Sequence, residues 1–116
     1  MIRPGALVIV HLVNPTEKIW GILLELGLAG VTMRGLNLST FDDWMAQAVR
    51  HGDQTLGLST MFVPLFRVER IFLDESVGEV ESYRQRFAQR VGIPVERYLG
   101  LESAPEDAEE AGEVPS

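Results

Sequence analysis

The stretch HLVNPTEKIWGILLELGLAGVTMRGLNL, residues 11–38, decides the fold because it contains two extended segments joined by a short glycine turn. In residues 17–26 apolar side chains occupy both alternating faces, which is typical of a strand that is largely buried. Residues 27–30, GLAG, are predicted to form the turn, and residues 31–38, VTMRGLNL, the next strand. We therefore expect two consecutive strands with a tight connection.

Two glycines lie in the interiors of these strands. Gly21 divides the first strand and Gly35 divides the second. Glycine in a strand interior costs stability unless the chain bends or another backbone approaches closely. We expect both positions to mark bends of this kind, as in a small barrel that closes on itself.

Three further strands are predicted outside this stretch. Residues 8–13, VIVHLV, form the first strand, and the NPT turn of residues 14–16 ends it because proline cannot donate a ladder hydrogen bond. Residues 55–63, TLGLSTMFV, form a fourth strand that ends at Pro64. Residues 69–73, ERIFL, form a short fifth strand.

Between the third and fourth strands the hydrophobic period changes to that of a helix. Residues 39–51, STFDDWMAQAVRH, carry one apolar stripe, which consists of Phe41, Trp44, Met45, Ala48 and Val49. Ser39 or Thr40 can cap the first turn, and Gly52 can take the left-handed stop. We expect an amphipathic helix inserted between strands three and four.

A second helical region is predicted after the fifth strand. Ser76 and Glu79 have the spacing of a capping box, and the helical pattern that follows ends at Gly92. Its apolar stripe consists of Val80, Tyr83, Phe87 and Val91. The VERYL segment adds one more helical turn, so this C-terminal region spans about residues 76–99.

The formal net charge of −7 is concentrated at the C-terminus. Six of the 17 acidic residues lie in residues 102–116 and none of the 10 basic residues does, which leaves a net charge of −1 for residues 1–101. An acidic segment without aromatic residues is expected to be disordered. It serves either as a solubilising tail, which we favour, or as an arm that occupies a basic groove on a partner.

The composition excludes several classes of protein. Cysteine is absent, so the chain has no disulfide framework, no cysteine-based zinc site and no thiol nucleophile. Its apolar segments are strand-length, shorter than the ~20 residues that a membrane span needs. We therefore expect one cytoplasmic domain, residues 1–101, with no membrane association.

Five short strands, with Pro64 between the last two and with helices appended, resemble the Sm-like fold of the Sm and LSm proteins and of the bacterial RNA chaperone Hfq. The resemblance covers residues 6–74 and is carried by VIVHLVN, by the glycine-bearing strand KIWGILLEL and by the closing run STMFVPLFRVERIFL. It implies a mainly β (α+β) fold. That fold is a five-stranded, bent, Sm-like or SH3-like small barrel with one helix inserted between strands 3 and 4 and another at the C-terminus.

The chain departs from this family at the positions that bind nucleotides. Gly27 stands where a polar Asp is usual, and residues 30–31, Gly-Val, stand where the Met-Asn pair of Sm proteins lies. The basic residues expected around the last turn are replaced by Phe-Val at 62–63 and Leu-Phe at 65–66. None of the base-binding residues that the resemblance implies is therefore retained.

Patterns for catalysis and metal binding are weak. Neither His11 nor His51 has metal-ligand spacing to a second strong ligand, and neither lies beside a nucleophile. The acidic pairs at 42–43 and 74–75 suit a helix start and a strand exit. GLAG lacks the length and the lysine of a phosphate-binding loop. We expect no enzyme activity, no metal and no other cofactor.

The strongest functional signal is a surplus of large apolar residues on the inserted helix and around the closing strands. These interface candidates are Phe41, Trp44, Met45, Phe62, Leu65, Phe66 and Phe72. Two interpretations remain open: the helices use these residues as core, or the residues form an interface. An interface is reasonable because open small barrels leave the edges of strands four and five unpaired.

The leading hypothesis is a noncatalytic Sm-like module that self-associates and acts as a scaffold or adaptor for an unidentified protein partner. The resemblance implies a homo-oligomer of the ring type. The alternative is an RNA-binding ring that uses Arg34, Arg67 or Arg70 in place of the usual base pocket. A core close to neutrality makes RNA the less favoured partner.

Overall fold

The computed structural model describes residues 1–51 and 57–101. Its strands are β1 (Leu7–Leu12), β2 (Glu17–Leu26), β3 (Gly30–Asn37), β4 (Ser59–Pro64) and β5 (Val68–Leu73). Its helices are α1 (Phe41–His51), α2 (Tyr83–Val91) and α3 (Val95–Tyr98), with 3-10 turns at Leu38–Thr40 and Leu65–Arg67. The five predicted strands and the helix inserted between β3 and β4 are confirmed. The start of the fourth strand, predicted at Thr55, falls outside the described residues.

The five strands form one antiparallel sheet in the order β4-β3-β2-β1-β5. Because β4 and β5 lie at opposite edges, the sheet is not closed into a barrel. The prediction that the five strands close into a barrel is therefore wrong. The turn between β4 and β5 explains why. Its Leu65 N–H donates to Ala29 O at 2.9 Å, and Arg67 O accepts from Val13 N–H at 2.8 Å. The chain therefore crosses the end of the sheet instead of folding back as a β4–β5 hairpin.

Both faces of the sheet are covered in its central part. One face buries Val8, Val10, Leu23, Met33 and Val63 in a single apolar cluster. The other face carries Trp20 and Ile22, on which the three helices pack. The two-sided burial predicted for β2 is confirmed for residues 19–23, whereas residues 24–26 are exposed beyond a bulge between Leu23 and Glu25.

Gly21 and Gly35 face each other across β2 and β3. A Cβ at position 21 would lie 2.0 Å from Arg34 O, and a Cβ at position 35 would lie 2.5 Å from Trp20 O. Only glycine lets the two backbones approach this closely, so the predicted close approach is confirmed. This contact brings the Trp20 end of β2 against the end of β3 that leads into α1.

Helix α1 begins two residues later than predicted. Asn37 supplies the first cap, because its Oδ1 accepts a hydrogen bond from Ser39 N–H at 2.9 Å. The Thr40 hydroxyl donates to Asn37 O at 2.8 Å, which tightens the chain into a 3-10 turn before the α-helix. Gly52, the predicted stop, lies outside the described residues.

The second helix begins at Tyr83, so the predicted capping box at Ser76 and Glu79 is wrong. Ser82 is the N-cap and accepts from Gln85 N–H at 3.1 Å. Residues 77–80 instead form a tight turn closed by mutual Val77–Val80 backbone hydrogen bonds. The predicted end of α2 is confirmed, because Gly92 adopts a φ of 97°. The further turn over VERYL is confirmed as α3.

In the described part of the chain, no helix has the length and apolar character needed to cross a membrane.

Candidate interaction surface

Three of the seven predicted interface residues lie in the core of the chain itself. Phe41, Trp44 and Met45 are buried on α1. The Trp44 ring lies 5.7 Å from the ring of Trp20 and 5.3 Å from that of Phe87. The inserted helix thus packs between its own sheet and α2, and these three side chains serve as core.

Three other predicted residues are exposed around the end of β4. Phe62 is 56% exposed, Leu65 is 45% exposed and Phe66 is 84% exposed. The turn that carries Leu65 is hydrogen-bonded to the β2–β3 turn through Ala29 O. These side chains are therefore brought next to a second exposed segment of the chain.

That second segment adds two apolar residues that are not among the interface residues predicted from the sequence. Leu26 is half exposed and Leu28 is fully exposed, at 100%. The apolar tip is defined here as Leu26, Leu28, Phe62, Leu65 and Phe66. In the sequence, the apolar tip is marked by two runs without a charged residue, residues 26–33 and residues 61–66. Because the two runs are 35 residues apart in the sequence, their proximity at one end of the sheet follows from the turn-to-turn hydrogen bond.

Two of the three positions that would frame a base pocket, 30 and 31, are closed off by the fold. Val31 is fully buried in the apolar cluster. A Cβ at position 30 would lie 2.2 Å from Val63 O and 2.7 Å from the Phe62 ring. A polar side chain at Gly30 would collide with β4, so the pocket cannot form there without moving the strand.

Phe72 lies on β5, at the opposite edge of the sheet from the tip, and is 42% exposed. Its ring is 4.9 Å from the His11 ring, and the Arg70 guanidinium carbon lies 6.0 Å from its centre. His11 pairs with Lys18 on one side and with Arg70 on the other. Lys18, His11 and Arg70 are therefore a row across three neighbouring strands, here called the basic row.

The basic row affects the ionisation of its histidine. Burial disfavours the imidazolium and lowers the pKa of His11 below the ordinary 6.5. The positive charges of Lys18 and Arg70 lower this pKa further, and Glu69 partly opposes them. Arg70 itself lies 3.6 Å from the Glu69 carboxylate, so part of its charge is compensated.

The three candidate arginines are not brought together. Arg67 donates to Val13 O at 3.1 Å and to Pro15 O at 2.8 Å, so it holds the β1–β2 turn in place. Arg34 is exposed on β3, and Arg70 lies on β5 beyond two intervening strands. At the usual strand spacing the backbones of these two strands are about 14 Å apart.

Asp74 is a buried acid whose two carboxylate oxygens both accept hydrogen bonds. Its Oδ2 accepts from the Trp20 indole at 2.9 Å and from Arg84 N–H at 2.9 Å. Its Oδ1 accepts from Tyr83 N–H at 2.8 Å. The carboxylate thus joins β2 to the first turn of α2 and has a structural role.

Open cavities border α2. One of about 440 Å³ lies at the start of the helix, where Arg84 pairs with Glu96. Another of about 450 Å³ lies between α1 and α2, where Arg86 pairs with Asp42 at 2.9 Å. In residues 1–51 and 57–101, no group of three His, Asp or Glu side chains could hold a metal ion.

Comparison of the chain with protein-family models, with curated proteins and with solved structures gives no match.

Proposed function

We propose that this protein is a noncatalytic module of the Sm-like type that self-associates through its sheet edges and acts as a scaffold or adaptor for another protein. The observation that carries this proposal is the apolar tip beside an unpaired edge strand. Five apolar residues are exposed there, in two runs of the sequence that contain no charged residue. Large apolar residues exposed together at one end of a domain are characteristic of protein interaction sites.

The sheet geometry supports association by strand pairing. Both β4 and β5 are six residues long and have a partner strand on one side only among the described elements. An open strand edge presents unpaired N–H and C=O groups, which can pair with a second chain. Phe62 is the exposed aromatic residue on β4, and Phe72 is the one on β5.

The Sm-like part of the proposal is supported by several local features. These are the five antiparallel strands, the facing glycines of β2 and β3, and Pro64 before the short 3-10 connection of the last two strands. Residues 27–31, GLAGV, carry no polar side chain. This lack of side-chain hydrogen-bonding groups favours a protein partner over a nucleotide.

The native mass tests self-association. Size-exclusion chromatography with light scattering at tens of micromolar is expected to give a multiple of the 12.9 kDa chain mass. The same measurement on a chain lacking residues 102–116 should give the same multiple, because the tip and the edges lie in residues 1–101. A strict monomer in both forms rejects the proposal.

A second candidate function, binding of single-stranded nucleic acid, is favoured by one observation. The basic row places three nitrogen-bearing side chains across adjacent strands beside the exposed Phe72 ring. Phosphate contacts to Lys and Arg combined with aromatic stacking are the usual means of holding single strands. Of the three arginines proposed from the sequence as RNA contacts, this site contains only Arg70.

Fluorescence anisotropy with U-rich and A-rich oligonucleotides tests this candidate. Binding should weaken steeply as salt is raised and should be lost on Lys18→Ala, with Arg34→Ala as the matched control at a solvent-exposed position. No binding at low salt rejects the candidate.

A further inference from the structure

The two edges of the sheet differ in how they are protected against pairing with another chain. On β5, Arg70 pairs with His11 and Val68 pairs with Leu12, which leaves Glu69 as the extra residue of a bulge. Glu69 and Arg70 also place two charges on this short strand. Bulges and charged side chains are the devices by which natural sheets block edge-to-edge pairing. The β5 edge is therefore protected against pairing with a strand of another chain.

The β4 edge has neither charge nor bulge. Its six residues, STMFVP, pair with β3 in unbroken register from Ser59 opposite Gly35 to Pro64 opposite Gly30. Phe62 is more than half exposed on this strand. A regular, uncharged edge with an exposed aromatic residue is a template for strand addition.

The hydrogen-bond pattern shows which groups of β4 point outwards. Leu65 N–H donates to Ala29 O, and hydrogen-bonded positions recur every second residue along an antiparallel ladder. Met61 and Val63 therefore direct their backbone groups to β3, while Thr60 and Phe62 direct theirs to the open edge. Pro64 falls in the outward set, which is where a residue without an N–H is tolerated.

We propose that β4 of one chain pairs antiparallel with β4 of a second copy about a two-fold axis at Phe62, giving a symmetric dimer with a continuous sheet. This rests on the proposed self-association and specifies its interface. Phe62 then lies opposite Phe62 of the second copy, and the two residues exchange two backbone hydrogen bonds. Each Thr60 N–H donates to Pro64 O of the other chain, which adds two more.

The two-fold symmetry of this pairing brings side chains of compatible chemistry opposite each other. Side chains directly opposite in an antiparallel pair share a face, so the two Phe62 rings can pack on each other. Leu65, which directly follows each β4, comes beside Ser59 at the start of the other β4. Because β4 has no charged residue, the pairing buries no charge of this strand. A head-to-tail contact between β4 and β5 would instead bring the Glu69 bulge into the ladder.

A charge-exchange experiment tests the two-fold axis at Phe62. Phe62→Lys and Phe62→Glu each place like charges opposite one another, and each should weaken association by ~10-fold or more in sedimentation equilibrium. An equimolar mixture of the two variants should recover the dimer. Phe72→Lys and Phe72→Glu are the matched controls at the β5 edge and should associate like the original chain. Circular dichroism and urea unfolding establish that all four variants fold.

Disulfide trapping gives an independent readout, since the chain contains no cysteine. Facing residues of a hydrogen-bonded pair have Cα atoms ~5.5 Å apart, within disulfide range. Oxidised Phe62→Cys should therefore run as a covalent dimer, and Phe72→Cys should remain a single chain.

The outcomes separate the two levels of the proposal. Crosslinking only in a mixture of Phe62→Cys and Phe72→Cys, or failure of the Lys and Glu mixture to reassociate, overturns the two-fold interface while leaving self-association in place. A monomeric original chain rejects self-association itself.

Discussion

The Trp20 indole nitrogen donates to the Asp74 carboxylate at 2.9 Å, across 54 positions of the chain. The same carboxylate accepts the N–H groups of Tyr83 and Arg84 at the start of α2. One buried side chain therefore links the central strand to the first turn of the helix that covers it. This contact fixes where α2 begins and, through α2, how α1 is held on the sheet.

Replacing Asp74 should destabilise the fold strongly. Asp74→Ala leaves the buried indole N–H and two helix N–H groups without acceptors, and we expect a loss of about 3 kcal/mol in the free energy of unfolding. Urea denaturation followed by tryptophan fluorescence measures it. Glu75→Ala, at the adjacent exposed acid, is the matched control and should change stability by less than ~0.5 kcal/mol. Equal effects at the two positions would contradict the structural role of Asp74.

The facing glycines give a second stability prediction. In Gly21→Ala the new Cβ would overlap Arg34 O at 2.0 Å, and that atom belongs to backbone that cannot rotate away. We expect a loss of about 3 kcal/mol or more, at the upper end for overpacking. Gly57→Ala is the control, because nothing lies within 4 Å of a Cβ there. Thermal unfolding of the two variants should separate them clearly, and similar melting temperatures would show that β2 and β3 can move apart.

The elements with a strong local period were predictable from the sequence. Residues 17–26 were expected as a strand and form β2 with those bounds, and the glycine pair was expected to mark a close approach. The helix over 39–51 was correct to within two residues at its start. In each case the signal lies in neighbouring residues, so no knowledge of distant contacts was required.

The start of α2 was not predictable in this way. Ser76 and Glu79 have the spacing of a cap, but Asp74 binds the N–H groups of Tyr83 and Arg84 instead. The Ser76 hydroxyl also accepts from Ser82 N–H at 3.1 Å, which stabilises the turn that replaces the first predicted helical residues. A long-range acceptor therefore overrides a local motif.

The candidate surface was predictable only in part for a related reason. Trp44 and Phe66 are both large apolar residues in the sequence, but only the packing of α1 against Trp20 buries the first and leaves the second outside. The basic row depends on cross-strand register, which places Lys18 and Arg70 on either side of His11. Neither relationship follows from spacing along the chain.

Burial predicts effects of very different size on stability for Trp44 and Phe66. Trp44→Ala removes a ring packed against Trp20, Phe87 and Tyr98 and should cost about 4 kcal/mol. Phe66→Ser removes a side chain that is 84% exposed and should change the unfolding free energy of the chain by less than ~0.5 kcal/mol. Urea unfolding at low protein concentration, where association does not contribute, measures both. A large loss for Phe66→Ser would show that the apolar tip is part of the core.

The depressed pKa of His11 predicts a pH dependence of stability. The unfolded chain binds a proton at this site with the ordinary pKa of 6.5, whereas the folded chain binds it at a lower pH because of burial, Lys18 and Arg70. The stabilisation is therefore complete above pH 6.5 and is lost as the pH falls through the folded-state pKa. Urea unfolding of the original chain and of His11→Gln should give a stability difference that changes between pH 7 and 5.

Removing a neighbouring charge tests the cause of this shift. Lys18→Ala should raise the pKa of His11 towards its ordinary value, because the cation that opposes protonation is gone. Glu69→Gln should lower the pKa of His11, since the carboxylate that favours protonation is then removed from the neighbourhood of the ring. Titration of the His11 ring protons by NMR measures both changes, with His51→Gln used to assign the resonance. A His11 pKa unchanged in Lys18→Ala would show that the charge of Lys18 does not contribute to the shift.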